Sequence, residues 1–292
     1  MITKLGQGLT QANYAQAFAF HYFQYTAPIY IVDSSVVTIN RITVFNPDGE
    51  VYHPTVDPLA TGRITNLPIP TTCLPDPGLD GHMIVYDKSQ TRFLEFSRFK
   101  WINSTFASAT RHDNFLWNAL GTSLPFNSGG YPWWMKGVRG SGAPFIAGLI
   151  RYDELITRGE LNHALAIAGP TNRQKKTNKP YTYEACSPVA ARNDGALIAD
   201  DGLLEGQRIR LNPNYDISNF GPKAKLVAQA LKTYGGYIVD NSPDFGLFLE
   251  RTPGSTSSNS PWLSYWANDL ISITQIPLNQ LQVLNCSNIA TK

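Results

Sequence analysis

Short apolar runs closed by turn residues dominate this chain, and long helical stripes are few. Residues 28–51, PIYIVDSSVVTINRITVFNPDGEV, alternate β-branched, aromatic and polar positions. They predict two or three strands, interrupted at Asp33-Ser-Ser and closed by Asn46-Pro-Asp-Gly. HMIVYD at 82–87 and TRFLEFSRFKW at 91–101, joined by Lys88-Ser-Gln, predict a β-hairpin. Further strands are expected over His163 to Ala168 and at ALIADD, GQRIRLNP, GYIVDN, FGLFLERT and LQVLN.

Helical signals are sparser. PKAKLVAQALKTYGG starts at Pro222, places Leu226, Val227, Ala230 and Leu231 on one face, and stops at Gly235. PWLSYWANDLISI predicts a second amphipathic helix, and Tyr152 to Arg158 a short one that Gly159 ends. With about ten strands and two or three helices, the expected fold is mainly β: an antiparallel, jelly-roll-like β-sandwich with helices packed on it. No repeat or boundary divides the sequence, so residues 1–292 are expected to form a single β-rich domain.

Three stretches fall outside this pattern. Residues 54–80 carry six of the 20 prolines and predict an extended surface segment, because proline has no ladder donor. Residues 103–139 are irregular and rich in aromatics, as loops lining binding clefts often are. TNRQKKTNKP predicts a solvated loop.

Composition narrows the partners. Charged residues make up 16%, against roughly 25% in typical soluble domains, and 24 basic residues nearly balance 22 acidic ones. No field of one sign exists to attract nucleic acid or an anionic membrane. No run reaches the roughly 18 apolar residues of a membrane span. The N-terminus lacks a signal-peptide core, so a secreted form would be numbered after a removed leader. Cys73, Cys186 and Cys286 form no zinc-type cluster, leaving one disulfide plus a free thiol, or three thiols, both open. No metal or other cofactor is expected.

Motifs for nucleotide binding, serine hydrolysis and zinc proteolysis are absent, and GSGAP at 140–144 lacks the GK[ST] end of a phosphate loop. The better constellation is Asp80-Gly-His82 entering one hairpin strand, with Glu95 on the other. Period alone puts Leu94 and Phe96 inward and Glu95 outward as a surface acid. An inward Glu95 would need a partner or a raised pKa. Asp113 follows in Arg111-His112-Asp113. Asp153 and Glu154 diverge around a helix, and near its start they read as capping and dipole groups. His163 reads as a satisfied core histidine, and Asp240-Asn241 as an Asx turn.

The ordered series DGHMIVYD, TRFLEF, SGAPFIAGLIRYDEL, GELNHALAIAGP, GQRIRLNPNYDISNF and ALKTYGGYIVDN resembles a poorly characterised family of secreted bacterial and fungal proteins. Its members share GLxRYDE, HALxxxxP and LKTYG motifs and often carry carbohydrate-binding modules. The similarity spans about residues 78–285. Matching positions are His82, Glu95, Asp113, Arg151, Glu154, His163 and Asp240, while Gly-Gly-Tyr after KTY and Ala-Ile-Ala-Gly depart from the pattern. The resemblance implies extracellular work on a polysaccharide.

A carbohydrate-active enzyme, a glycoside hydrolase or a polysaccharide lyase, is therefore expected. Glu95 and Asp113 would be the carboxyl pair, His82 and His163 the proton relays. Trp101, Trp133 and Trp134 would stack on sugar faces, and Arg151 would hold a uronate carboxylate. The rival expectation is a non-catalytic glycan-binding or structural protein, with the same aromatics but no converging acids.

Overall fold

A computed structural model of the protein describes residues 18–45, 63–116, 137–170, 184–187, 189–190, 193–195, 202–243, 245–266, 276, 278–286 and 288–291. In chain order the strands are β1 Ala19–His21, β2 Ile29–Val32, β3 Ile42–Phe45, β4 Arg63–Leu67, β5 Met83–Asp87, β6 Arg92–Ser97, β7 Lys100–Trp101 and β8 Phe106–Ser108. They continue with β9 Arg111–Leu116, β10 Leu165–Gly169, β11 Glu184–Ser187, β12 Arg208–Leu211, β13 Gly236–Asn241, β14 Gly246–Phe248, β15 Leu281–Val283 and β16 Asn288–Thr291. The fold is mainly β with few helices, and its sheets are mixed and not closed into a barrel.

The chain forms two compact units. One comprises Tyr22–Val138 with Glu250–Ser257; the other comprises Met1–His21, Arg139–Leu249 and Ser258–Lys292. The expected single domain of residues 1–292 thus has internal divisions that no shift in composition marks.

The first unit is a β-sandwich of two four-stranded sheets, β2-β5-β6-β9 and β4-β3-β8-β7. Val32, Met83, Val85, Leu94 and Phe96 from one sheet meet Ile42, Val44, Leu67 and Ala107 from the other in a single buried cluster. The predicted hairpin forms as β5 and β6, with Met83 opposite Phe96 and Asp87 opposite Arg92. Its second strand ends earlier than expected: Arg98 adopts a positive φ of 54°. Its N–H bonds the Asp80 carbonyl at 2.6 Å. Lys100–Trp101 then joins the opposite sheet, so one apolar run serves both layers.

Two expectations change here. Residues 63–73, placed by their prolines in a surface segment, supply β4 and the buried Leu67, Ile69 and Cys73. Each proline removes only its own donor, and Pro68 and Pro70 follow the strand instead of interrupting it. Residues 106–116, expected to be irregular, form β8 and β9, because ladder bonding to β3, β7 and β6 outweighs their mixed composition. Residues 117–136, with Trp133 and Trp134, lie outside the described residues, as do TNRQKKTNKP and ALIADD.

The second unit carries the six-stranded sheet β1-β14-β10-β13-β12-β15, in which β10 runs parallel to β13 and antiparallel to β14. The best-signalled helix spans Pro222–Thr233 and buries Ala224, Val227, Ala228, Ala230 and Leu231. The second helix covers Pro261–Trp266, and the rest of its expected span, 267–273, lies outside the described residues. Cys186 and Cys286 form a disulfide across 100 residues, beside the β11–β16 ladder. Cys73 stays a buried thiol, pushed by burial to about 12, so it is no nucleophile at neutral pH.

Leu94→Ala is expected to cost roughly 2–5 kcal/mol in urea denaturation, because it opens a cavity in a filled cluster. Ile31→Ala, on an exposed position of β2, should stay within about 0.5 kcal/mol of wild type.

Candidate functional site

The expected carboxyl pair falls on the sandwich. Glu95 on β6 is opposite Asp113 on β9 and Ile84 on β5 in the ladder register. Leu94 and Phe96 do point into the sandwich, as the period predicts. Glu95 nonetheless has no solvent exposure, because the second face of this sheet is covered as well, at Ile84 and Ser97 too. The outward surface-acid reading of Glu95 is therefore corrected. His82, just before β5, is buried, with Nδ1 3.4 Å from the Phe96 carbonyl. Trp101 is turned to structural use: its indole N–H donates to the Cys73 carbonyl at 2.7 Å, and its ring meets Phe99 edge-on.

Arg151 and His163 lie in the other unit and converge on Glu154. Asp153–Arg158 forms a π-helical turn that ends at Gly159, whose φ of 66° suits glycine, as the sequence predicts. Glu154 does more than serve the helix start, where it accepts the Arg151 backbone N–H at 3.4 Å. Its carboxylate is buried and takes His163 Nε2 at 3.1 Å, the Arg151 guanidinium and, more loosely, Arg158 at 3.6 Å. Nδ1 of His163 donates to the Ala164 carbonyl at 2.9 Å, so the ring is held at both ends. Asp153 diverges to an exposed pair with Arg158. Burial alone would raise the Glu154 carboxyl, but the hydrogen bonds and charges of His163 and Arg151 outweigh it and hold it at about 2.

A third group of acids escaped the sequence. Asp240, read there as an Asx turn, instead accepts Arg139 Nη1 at 3.0 Å and the Gly140 N–H at 2.6 Å. A register shift between Ile167 and Ala168 pairs Ala168 with Asp240, and such bulges re-aim side chains. Arg139 is fully buried. Its guanidinium lies 3.8 Å from the Phe145 ring centre and 4.2 Å from that of Phe248, and it also donates to the Phe145 carbonyl.

Asp194 approaches from the other side. Its carboxylate fills the space that a side chain at Gly140 would occupy, and it accepts the Asn241 N–H at 3.2 Å. Glu205 forms the floor, with no exposure and no hydrogen bond of ordinary geometry to either carboxylate oxygen among the described residues. Its backbone is pinned on two sides: the Glu205 carbonyl accepts Cys186 N–H at 2.7 Å, and the next N–H, of Gly206, reaches the Ile238 carbonyl at 2.6 Å.

These environments separate the acids. Burial, then the adjoining carboxylate and charge of Asp194 and the charge of Asp240, push Glu205 well above the usual range. A carboxylate on Glu205 would be repelled by the acid it touches as well as deprived of water, so burial and contact both favour its protonated form. Burial lifts Asp240 too, but Arg139 opposes it and leaves Asp240 at about 6. Asp194 is exposed and the Asp240 side chain one-fifth exposed, so the group opens to solvent above a buried floor. The sequence did carry a trace of it: acids embedded in LLEG and YIVD, where burial is expensive without a purpose.

Among the described residues, no set of three or more His, Cys, Asp or Glu side chains is placed to hold a metal ion. No described helix is long and apolar enough to cross a membrane.

Glu154→Gln tests the ion network. The folded carboxyl titrates near 2 against 4.5 for a free one, so its stabilisation is full above 4.5 and is lost as pH falls toward 2. Allowing for the exposure of Arg151, Glu154→Gln is expected to lose about 2–3 kcal/mol at neutral pH. In urea melts from pH 6 to pH 2, its stability should fall less steeply than that of wild type.

Compared with known proteins, the chain matches no family, no curated protein and no solved structure.

Proposed function

We propose that this chain is a secreted carbohydrate-active enzyme, a glycoside hydrolase, whose chemistry is carried by Glu205 and Asp240. The supporting observation is the opposed protonation of two neighbouring acids: Glu205 keeps its proton through burial beside Asp194, while Arg139 favours the ionised form of Asp240. Glycosidic cleavage needs that division, one acid to protonate the leaving oxygen and one carboxylate to act on the sugar carbon or on water. In this mechanism the Glu205 proton is relayed through Asp194, the exposed acid that touches it, to the leaving oxygen as the glycosidic bond breaks. Asp240 either bonds the anomeric carbon or takes a proton from the attacking water. Arg139 and the Gly140 N–H hold its carboxylate in place.

Extracellular location is supported by the Cys186–Cys286 disulfide, which persists in oxidising surroundings. A polysaccharide substrate is supported by the resemblance to secreted proteins with carbohydrate-binding modules. The buried Glu95, with Asp113 opposite, is the competing acid pair, and its variant belongs in the same assay.

The test is a polysaccharide panel scored for new reducing ends and for unsaturated products. On the substrate found, Glu205→Gln and Asp240→Asn should each lower kcat at least about a thousandfold. The pH profile should rise as Asp240 ionises near 6 and fall only well above the usual carboxyl range, where Glu205 loses its proton. Activity abolished by Glu95→Gln but retained by both other variants would move the chemistry to the sandwich. Unsaturated products would mean elimination, and glycan binding without turnover would leave a non-catalytic binder.

A further inference from the structure

Two Asn-x-Ser/Thr triplets occur in the chain, Asn103-Ser104-Thr105 and Asn285-Cys286-Ser287. Such a triplet accepts an N-linked glycan in chains that pass through a eukaryotic secretory pathway, provided its middle residue is not proline and its asparagine is accessible. Triplets also arise by chance in a chain rich in Asn, Ser and Thr, so geometry has to separate a usable acceptor from an idle one.

Asn103 sits in the short turn between β7 and β8, within the sandwich unit, and residues 102–106 are all exposed. Its Oδ1 accepts three donors from the same turn: the Thr105 N–H at 2.9 Å, the Thr105 hydroxyl at 3.0 Å and the Phe106 N–H at 2.9 Å. Its Nδ2 makes no hydrogen bond among the described residues. An amide nitrogen is a weak nucleophile because its lone pair is delocalised onto oxygen. Three donors at that oxygen stabilise the negative charge that collects there as Nδ2 gives up a proton, which makes the nitrogen available for bonding.

These three bonds involve residues 103–106 alone, so the turn can form before the sandwich does. In the folded protein Asn40 Nδ2 donates to the Ser104 carbonyl at 3.2 Å and the Thr43 N–H to the Thr105 carbonyl at 2.9 Å, holding the turn at the surface. Beside Asn103, Ile102 and Phe106 are 53% and 39% exposed, apolar surface against which a first sugar ring can pack. Asn285 is also exposed, but its triplet centres on Cys286, which is committed to the disulfide with Cys186.

We propose that Asn103 is a glycan acceptor, modified from an oligosaccharide carried on a lipid diphosphate. The Nδ2–C1 bond forms as the bond from C1 to the diphosphate oxygen breaks. Lipid diphosphate leaves with the bonding electron pair, and the proton lost from Nδ2 passes to a base of the transferase. The proposal rests on the extracellular reading above and not on the acid chemistry of Glu205 and Asp240.

The full chain, directed by an added leader into the secretory pathway of a eukaryotic host, is recovered from cells and medium together. Peptide mass spectrometry before and after peptide-N-glycosidase treatment then maps the modified asparagines. A glycan on Asn103 is expected, released with conversion of that amide to a carboxyl group. Asn103→Gln should lose it, and so should Thr105→Val, which keeps the branched shape and removes the hydroxyl. Thr105→Ser should retain it. Mapping of the wild-type chain decides the matter even where a variant fails to fold.

A glycan on Asn103 in a protein that releases no reducing ends from any polysaccharide would count against the acid chemistry alone. An unmodified Asn103 in the wild-type chain, a glycan on Asn285 only, or an unchanged glycan in Thr105→Val would each overturn the proposal.

Discussion

A guanidinium removed from water must recover its lost hydration from fixed neighbours, and Arg139 is the group on which the second unit turns. Phe145 and Phe248 flank its charged plane, the Phe145 carbonyl takes one N–H group, and the Asp240 carboxylate takes another. Those contacts fix the chain at Gly140, whose own N–H is the second donor to Asp240 and whose missing side chain admits Asp194. Glu205 lies buried with no ion-pair partner among the described residues, and its protonated form is favoured. One buried cation thus compensates one acid of three, and the imbalance separates their protonation.

Glu154 gives the opposite outcome from similar materials. It is also buried, yet Arg151 and His163 both reach it, and its carboxyl falls to about 2. A carboxylate so well compensated is a poor proton carrier at neutral pH and serves as a tie between the π-helical turn and the segment entering β10. Burial does not by itself mark a reactive acid; burial with too few donors does.

The fold was legible where local pattern and tertiary demand agreed. The β5–β6 hairpin, the helix from Pro222 and the stop at Gly159 follow from turn residues, apolar period and a required positive φ. Residues 63–73 and 106–116 were misread because strands there are held by ladder bonds to distant partners, which composition does not record. For Glu95, alternation correctly placed Leu94 and Phe96 in the sandwich, but alternation describes only two faces and cannot say that both are covered.

By itself, the sequence determined the mainly β class, the principal helix, the absence of a strong charge field and the presence of acids and histidines in apolar settings. These are properties of neighbours along the chain, whose spacing sets period, turn chemistry and net charge. Tertiary structure alone decided which cysteines pair, which face of β6 is covered and which acids meet. Asp194, Glu205 and Asp240 are brought together by a bulge in β13, a glycine that admits a carboxylate and a buried arginine. Protonation depends on the distance to the nearest charge and on the loss of water, and both are fixed only when separate segments fold against one another.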